Sequence, residues 1–136
     1  MAKVPERNDK MFTIVICTYN GGRRIERVVD CIVKQEGFDI LVKEVLIVDN
    51  CSTDYTARVI KQLMEKNNRI KYLYEPQPGL SNARLCGINK ANTPWIIFLD
   101  DDNFINEKWL CGITEYITMH KDMGAFNGRV IPRCTE

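Results

Sequence analysis

The sequence predicts an α/β fold, a mostly parallel sheet flanked by helices. Apolar, β-branched runs of strand length recur along the chain, and between them apolar residues return at helical spacing. The connections are short, the pattern of βαβ units with right-handed crossovers. At 136 residues the chain is expected to be one domain around one hydrophobic core, with residues 1–10, MAKVPERNDK, as a polar and flexible N-terminus.

Residues 11–17, MFTIVIC, form the first strand, because a near-continuous apolar run suits burial on both faces of a parallel sheet. Asn20, Gly21 and Gly22 then turn the chain, and Ile25, Val28, Val29, Ile32 and Val33 mark one face of a helix. VKEVLIVD, residues 42–49, is the second strand. Ser52 and Thr53 are the capping candidates for a second helix, whose apolar face includes Val59, Ile60, Leu63 and Met64. IKYLYE, residues 70–75, is a third strand closed by the turn residues Pro76, Gln77, Pro78 and Gly79. A third helix over 81–90 leads into a fourth strand, WIIFLD, and a fourth helix spans 106–120. The apolar segment near 124–131 predicts one more strand. His120, at the end of a helical pattern, suits a C-terminal helix cation better than a catalyst.

Nineteen basic residues against eighteen acidic ones leave a formal charge of +1 with no basic stripe, which argues against nucleic acid or an anionic membrane as a partner. No apolar stretch approaches the roughly 20 residues that span a bilayer, so the expectation is a soluble, cytoplasmic chain, including the inner face of a membrane. Of six cysteines no two form a C-x-x-C pair, and His120 is the sole histidine, which counts against zinc and for reduced structural thiols.

The densest negative charge, Asp100, Asp101 and Asp102, stands at the tip of the fourth strand. Alternation along a strand puts Asp100 and Asp102 on one side, about 6.6 Å apart, with Asp101 turned away. Such a pair repels by about 2.5 kcal/mol at an effective dielectric of ~20 but by about 0.6 kcal/mol in water. It therefore calls for water or a cation, unless the acids simply cap the next helix. Ligands of parallel sheets bind beyond the carboxyl ends of the strands. There the polar residues gather: Thr18, Tyr19 and Asn20 after the first strand, Asp49 and Asn50 after the second, Asp100 to Asn103 after the fourth. Neither G-x-G-x-x-G nor G-x-x-x-x-G-K-[ST] occurs, so no glycine-rich cradle holds phosphates. Carboxylates in that place point to a hard divalent ion, Mg²⁺ or Mn²⁺.

The segments TIVICTYNGG, VLIVDNCSTDYT, PGLSNARLCGI and FLDDDN, in this order and spread over residues 12–130, resemble the successive motifs of family 2 glycosyltransferases. These are inverting enzymes of the Rossmann-like GT-A fold that use nucleotide-diphosphate sugars. The resemblance implies that Thr18, Tyr19 and Asn20 lie at the nucleotide, with Tyr19 stacked on the base. Asp49 would accept a hydrogen bond from the base, against a turn or cap as the plainer role. Arg84 would contact the nucleotide, against a surface ion pair. In the D-x-D motif, Asp100 and Asp101 would lie at the nucleotide and Asp102, with Asp100, would hold the metal. A UDP-sugar is the favoured donor, and a glycan or lipid-linked molecule the acceptor.

An inverting displacement also needs a general base at the acceptor hydroxyl. Glu107, Glu115, Asp122 and Glu136 match no such motif, so the expectation is a donor-binding half, truncated at its C-terminus, without the base or the acceptor-binding part. Missing strands would leave a sheet edge open to self-association. A non-catalytic nucleotide-sugar-binding module or fragment is the alternative. A nucleotidyltransferase would need a glycine-rich basic loop where only Arg23 and Arg24 follow Gly21 and Gly22, and a receiver domain would need a lysine absent from GAFNGRVIP.

Overall fold

A computed structural model describes residues 10–129 and residue 131. Four parallel strands form one sheet in the order β3-β2-β1-β4, with β1 Phe12–Thr18, β2 Val42–Asp49, β3 Ile70–Tyr74 and β4 Trp95–Asp100. The chain fills β1, β2 and β3 in one direction and then crosses back to lay β4 beside β1. The strand order therefore reverses between β1 and β4, the place where open parallel sheets leave a crevice at their carboxyl ends. The register pairs Cys17 with Asp100 and Thr18 with Asp49, so three strand ends meet there.

Alternation within β1 divides the core. Phe12, Ile14 and Ile16 face the larger layer, built on α1 Ile25–Val33, α3 Thr56–Lys66 and α5 Trp109–Met119, with Ile25, Val28, Val29, Ile32, Ile60, Leu63 and Leu110 buried against them. Val15 faces the other side, where α4 Leu80–Lys90 packs through Ala83 against Leu46 and Val48. Helix α4 lies close to the sheet at Gly87, where a Cβ would stand 2.5 Å from Val15 Cγ1. Strands β3 and β4 are the edges among the described residues, and Phe98 on β4 is 42% exposed.

The first four predicted strands form, the second and fourth with the predicted bounds. The short helix α2, Phe38–Leu41, was not foreseen: it follows Gly37, whose φ of 79° a side chain would resist. The strand expected near 124–131 is absent from the described part of that segment, which packs instead by aromatic contact, Phe126 meeting Trp95 and Tyr116. Helix α5 starts at Trp109 rather than 106, since the Asn106 side chain takes the Lys108 amide and forms a turn there. His120 ends α5 with its ring stacked on Tyr116. The N-terminus, residues 1–9, and Cys134 and Glu136 lie outside the described residues. The other cysteines are free thiols, all partly exposed rather than fully buried. No helix among the described residues is long and apolar enough to cross a membrane.

Candidate functional site

Each strand end hands its polar residues to the next loop. After β1, Asn20 takes a left-handed φ of 50°, a conformation asparagine tolerates. Its amide N–H donates to Ser52 Oγ (2.9 Å), and its side-chain Oδ1 accepts from the amides of Thr53 (2.8 Å) and Asp54 (3.2 Å). Ser52 and Thr53 are thus engaged by the β1–α1 loop, and neither caps α3, whose first residue Thr56 donates its amide to Asp54 Oδ1 (2.9 Å). The Thr56 hydroxyl, aided by the Thr56 and Gly22 amides, holds the Asp54 carboxyl below its ordinary value.

Asp49 is buried, and both its oxygens have partners. Oδ1 accepts from the Ser52 amide (3.0 Å) and Oδ2 from the Tyr72 hydroxyl (2.9 Å). The turn role weighed for Asp49 is therefore present. Burial, then the bond to Asp49, pushes the Tyr72 phenol up to about 12. The folded protein keeps Tyr72 neutral where the unfolded chain ionises near pH 10, so the unfolded chain holds fewer protons and stability falls as pH rises from about 10 to 12. Tyr72→Phe should flatten the alkaline unfolding transition in that window, and an unchanged pH dependence would refute the linkage.

At the end of β4 the three aspartates take separate roles. Asp101 turns back to β1: Thr18 Oγ1 donates to its Oδ2 (2.7 Å), and Arg24 binds it by Nε to Oδ1 (3.3 Å) and Nη2 to Oδ2 (3.0 Å). That two-point pairing, reinforced by charge, raises the Arg24 pKa further. Gly21 leaves room for it, since a Cβ there would stand 2.0 Å from Thr18 Oγ1 and 2.8 Å from Asp101 Oδ2. Asp100 and Asp102 are exposed and form no salt bridge among the described residues. The acids do not cap the next helix, because α5 begins only at Trp109 after a descent past α1. No group of three or more His, Cys, Asp or Glu side chains gathers as a metal cage among the described residues. Two exposed carboxylates nonetheless suit Mg²⁺ or Mn²⁺, which usually take one or two protein carboxylates and fill the rest with phosphate and water.

Arg84, exposed on the first turns of α4, forms no salt bridge among the described residues, where the surface ion pair weighed for it is therefore not found. It lies at the same end of the sheet: burial pushes the Cys17 thiol up to about 11, Arg84 pulling it down and Asp100 pushing it up. Beside this edge opens a cleft of about 460 Å³ lined by Tyr19, Asn50, Cys51, Pro78, Gly79 and Leu80. Tyr19 on its wall is 59% exposed. The structure thus brings Tyr19, Asp49, Arg84, Asp100 and Asp102 to one edge, and commits Thr18, Asn20, Asp49 and Asp101 to hydrogen bonds within the protein. Arg24 and Asn50 were not among the predicted site residues. The pair Arg23 and Arg24 behind the turn glycines was the available signal.

The chain matches the family model described as "Glycosyl transferase family 2" over residues 13–133. It is 28% identical over 129 residues to the poly(ribitol-phosphate) beta-N-acetylglucosaminyltransferase TarS of Staphylococcus aureus, covering 90% of this chain but 22% of TarS. The crystal structure of S. aureus TarS 1-349 in complex with UDP-GlcNAc superposes with a TM-score of 0.71 at 28% identity, over 90% of this chain and 37% of that one. A mannosyltransferase from Pyrobaculum calidifontis in complex with GDP-Man and Mn²⁺ is similar at a TM-score of 0.63 and 26% identity, over 71% of this chain and 28% of that one. The chain thus spans less than two-fifths of the length of each of these proteins. With a family match across nearly all described elements and a parallel sheet like that of GT-A glycosyltransferases, the chain belongs to glycosyl transferase family 2.

Proposed function

We propose that this chain binds a nucleotide-diphosphate sugar, a UDP-sugar in the first place, together with Mn²⁺ or Mg²⁺, and serves transfer of the sugar to a hydroxyl of a glycan or lipid-linked acceptor with inversion. One observation carries it: the aromatic-walled cleft and the two exposed carboxylates Asp100 and Asp102 stand at the same carboxyl edge of the sheet. The similarity to proteins crystallised with UDP-GlcNAc and with GDP-Man and Mn²⁺ supports the donor class.

In this reading Tyr19 stacks on the base, and its neighbours across the cleft, Pro78 and Leu80, cover the opposite side. Asp49 and Ser52 set the shape of the loop beneath it, with Asp49 the acceptor nearest the base. Arg84 places a planar guanidinium at the diphosphate. Asp100 meets the ribose side and, with Asp102, would hold the divalent cation. Bound there, such a cation supplies a Lewis acid that offsets charge on the departing nucleoside diphosphate. Asp101, tied to Thr18 and Arg24, keeps the loop docked on β1, so Thr18 and Asp101 act at the nucleotide by shaping its edge. Asn20 does the same for the loop after β2.

In this reading the base that deprotonates the acceptor lies outside these residues. The Glu107 carbonyl accepts from the Glu36 amide beyond the far end of α1, and α5, which bears Glu115, reaches through Tyr116 and Phe126 to Trp95 at the amino end of β4. Glu107 and the helix that bears Glu115 thus lie toward the opposite end of the sheet from the aspartate cluster. A nucleotide-sugar-binding module without transfer activity uses the same site, and an assay for sugar transfer separates the two.

Calorimetric titration with UDP, with and without Mn²⁺, tests the donor site directly. Binding should strengthen with Mn²⁺. Tyr19→Ala should weaken it by the loss of base stacking, about 1–3 kcal/mol or roughly 5–150-fold. Failure of UDP, GDP and dTDP alike to bind a folded chain would refute the proposal.

A further inference from the structure

We propose that Asn50 is a positioning residue that sets the width of the nucleotide cleft by tying the loop after β3 to the end of β2, an inference that rests on the nucleotide-binding reading above. Its backbone N–H donates to the Thr18 carbonyl (2.9 Å), anchoring it to the strand that carries Tyr19 on the near wall. Its side chain, only 8% exposed, reaches across to the far wall. Nδ2 donates to the carbonyls of Glu75 (2.9 Å) and Gln77 (2.7 Å), and Oδ1 accepts from the Gly79 amide (2.9 Å). These bonds span the segment that delivers Pro78, Gly79 and Leu80 to the cleft.

Only an amide meets that demand. Two carbonyls must face hydrogen-bond donors while an N–H faces an acceptor, and a carboxylate of the same shape has no donor to give. The partners also fix which end of the amide is which, since a flipped group would aim its oxygen at two carbonyl oxygens. The other ties of the segment leave Gly79 to Asn50: the Cys51 thiol donates to the carbonyls of Glu75 (3.4 Å) and Pro76 (3.2 Å), Gln77 N–H donates to Glu75 Oε1, and the Glu75 amide bonds to the Asp49 carbonyl (3.0 Å). Gly79, at a φ of 126° that side chains rarely adopt, is the N-cap residue of α4, so the Asn50 bond also sets where that helix starts. Arg84 stands on the next turn. Loosening Asn50 would thus move the far wall of the cleft and the phosphate-side arginine together, while Asp101, just after β4, stays docked by Arg24 and Thr18.

The test uses the whole chain and the Asn50→Asp and Asn50→Ala variants, with UDP affinity in Mn²⁺ measured at neutral pH and near pH 5, each relative to wild type at the same pH. At neutral pH both variants should bind UDP about tenfold or more weaker. Asn50→Asp should recover part of that loss near pH 5, where a carboxyl facing two carbonyls protonates and regains one donor, and Asn50→Ala should not. Hydrogen exchange of wild-type Gly79, measured without nucleotide, should show a protected amide. Unchanged affinity in both variants, a loss in Asn50→Asp that ignores pH, or an unprotected Gly79 amide would each overturn the proposal. If wild type binds no UDP, the donor reading fails instead, and Gly79 exchange alone still decides whether Asn50 holds the loop, including when the variants do not fold.

Discussion

Asp102→Ala is expected to abolish the gain in UDP affinity that Mn²⁺ confers, a loss of about tenfold or more, about 1.4 kcal/mol per factor of ten. Asp102 is exposed, outside every salt bridge among the described residues, and so contributes little to folding. Substitution at such a surface position should leave stability within about 0.5 kcal/mol. The neighbouring Asp101 provides the contrast, because its carboxylate is occupied by Thr18 and Arg24. Asp101→Asn should therefore keep a Mn²⁺-dependent gain while loosening the loop. Calorimetry of wild type and both variants, with and without Mn²⁺, is the measurement. A full Mn²⁺ gain in Asp102→Ala, or its loss in Asp101→Asn alone, would mean that the metal-ligand roles are assigned to the wrong aspartate.

Ile47→Ala should destabilise the fold by about 2–5 kcal/mol, against about 0.5–1.5 kcal/mol for Ile47→Val. Ile47 is fully buried in the middle of the sheet, paired in register with Ile16 on one side and Tyr72 on the other. Removing its outer carbons leaves a cavity that strands locked on both sides cannot close. Total stabilities of ordinary domains are about 5–15 kcal/mol, so the alanine variant would sit near the unfolding threshold. Urea denaturation gives the difference directly. A cost under about 1 kcal/mol would indicate that the larger layer repacks around the gap. Because Ile47 lies in the core and lines no part of the cleft, UDP affinity should fall in this variant only as far as the folded fraction does.

The strands were legible because each is a near-continuous apolar run, and a run of that kind has few alternatives once helices interrupt it at short intervals. VKEVLIVD and WIIFLD carry their own boundaries, each ending in aspartate at the carboxyl edge of the sheet. The segment over 124–129 shows the limit of that signal. It contains apolar residues, but Phe126 satisfies them by ring contacts with Trp95 and Tyr116, so no ladder is required. Helix caps were read less well, since Ser52 and Thr53 have the right chemistry for a cap but are recruited by Asn20 from a loop thirty-odd residues earlier.

Within the site, the sequence by itself determined which side chains reach the carboxyl edge, because strand ends and their following residues are local properties of the chain. The fold class, the cleft residue Tyr19, Arg84 and the aspartate triplet all follow from such local order. What the tertiary structure decided is which polar groups are spent within the protein and which remain for a ligand. Asp101 differs from Asp100 and Asp102 only by its neighbours, and it is the crossover that lays β4 beside β1 that brings Thr18 and Arg24 to it. Asn50 likewise looks like one more turn residue until the loop after β3 arrives to take both ends of its amide. Hydrogen bonding saturates, each donor and acceptor serving few partners, so a residue's role depends on contacts made across long sequence distances that no local pattern records.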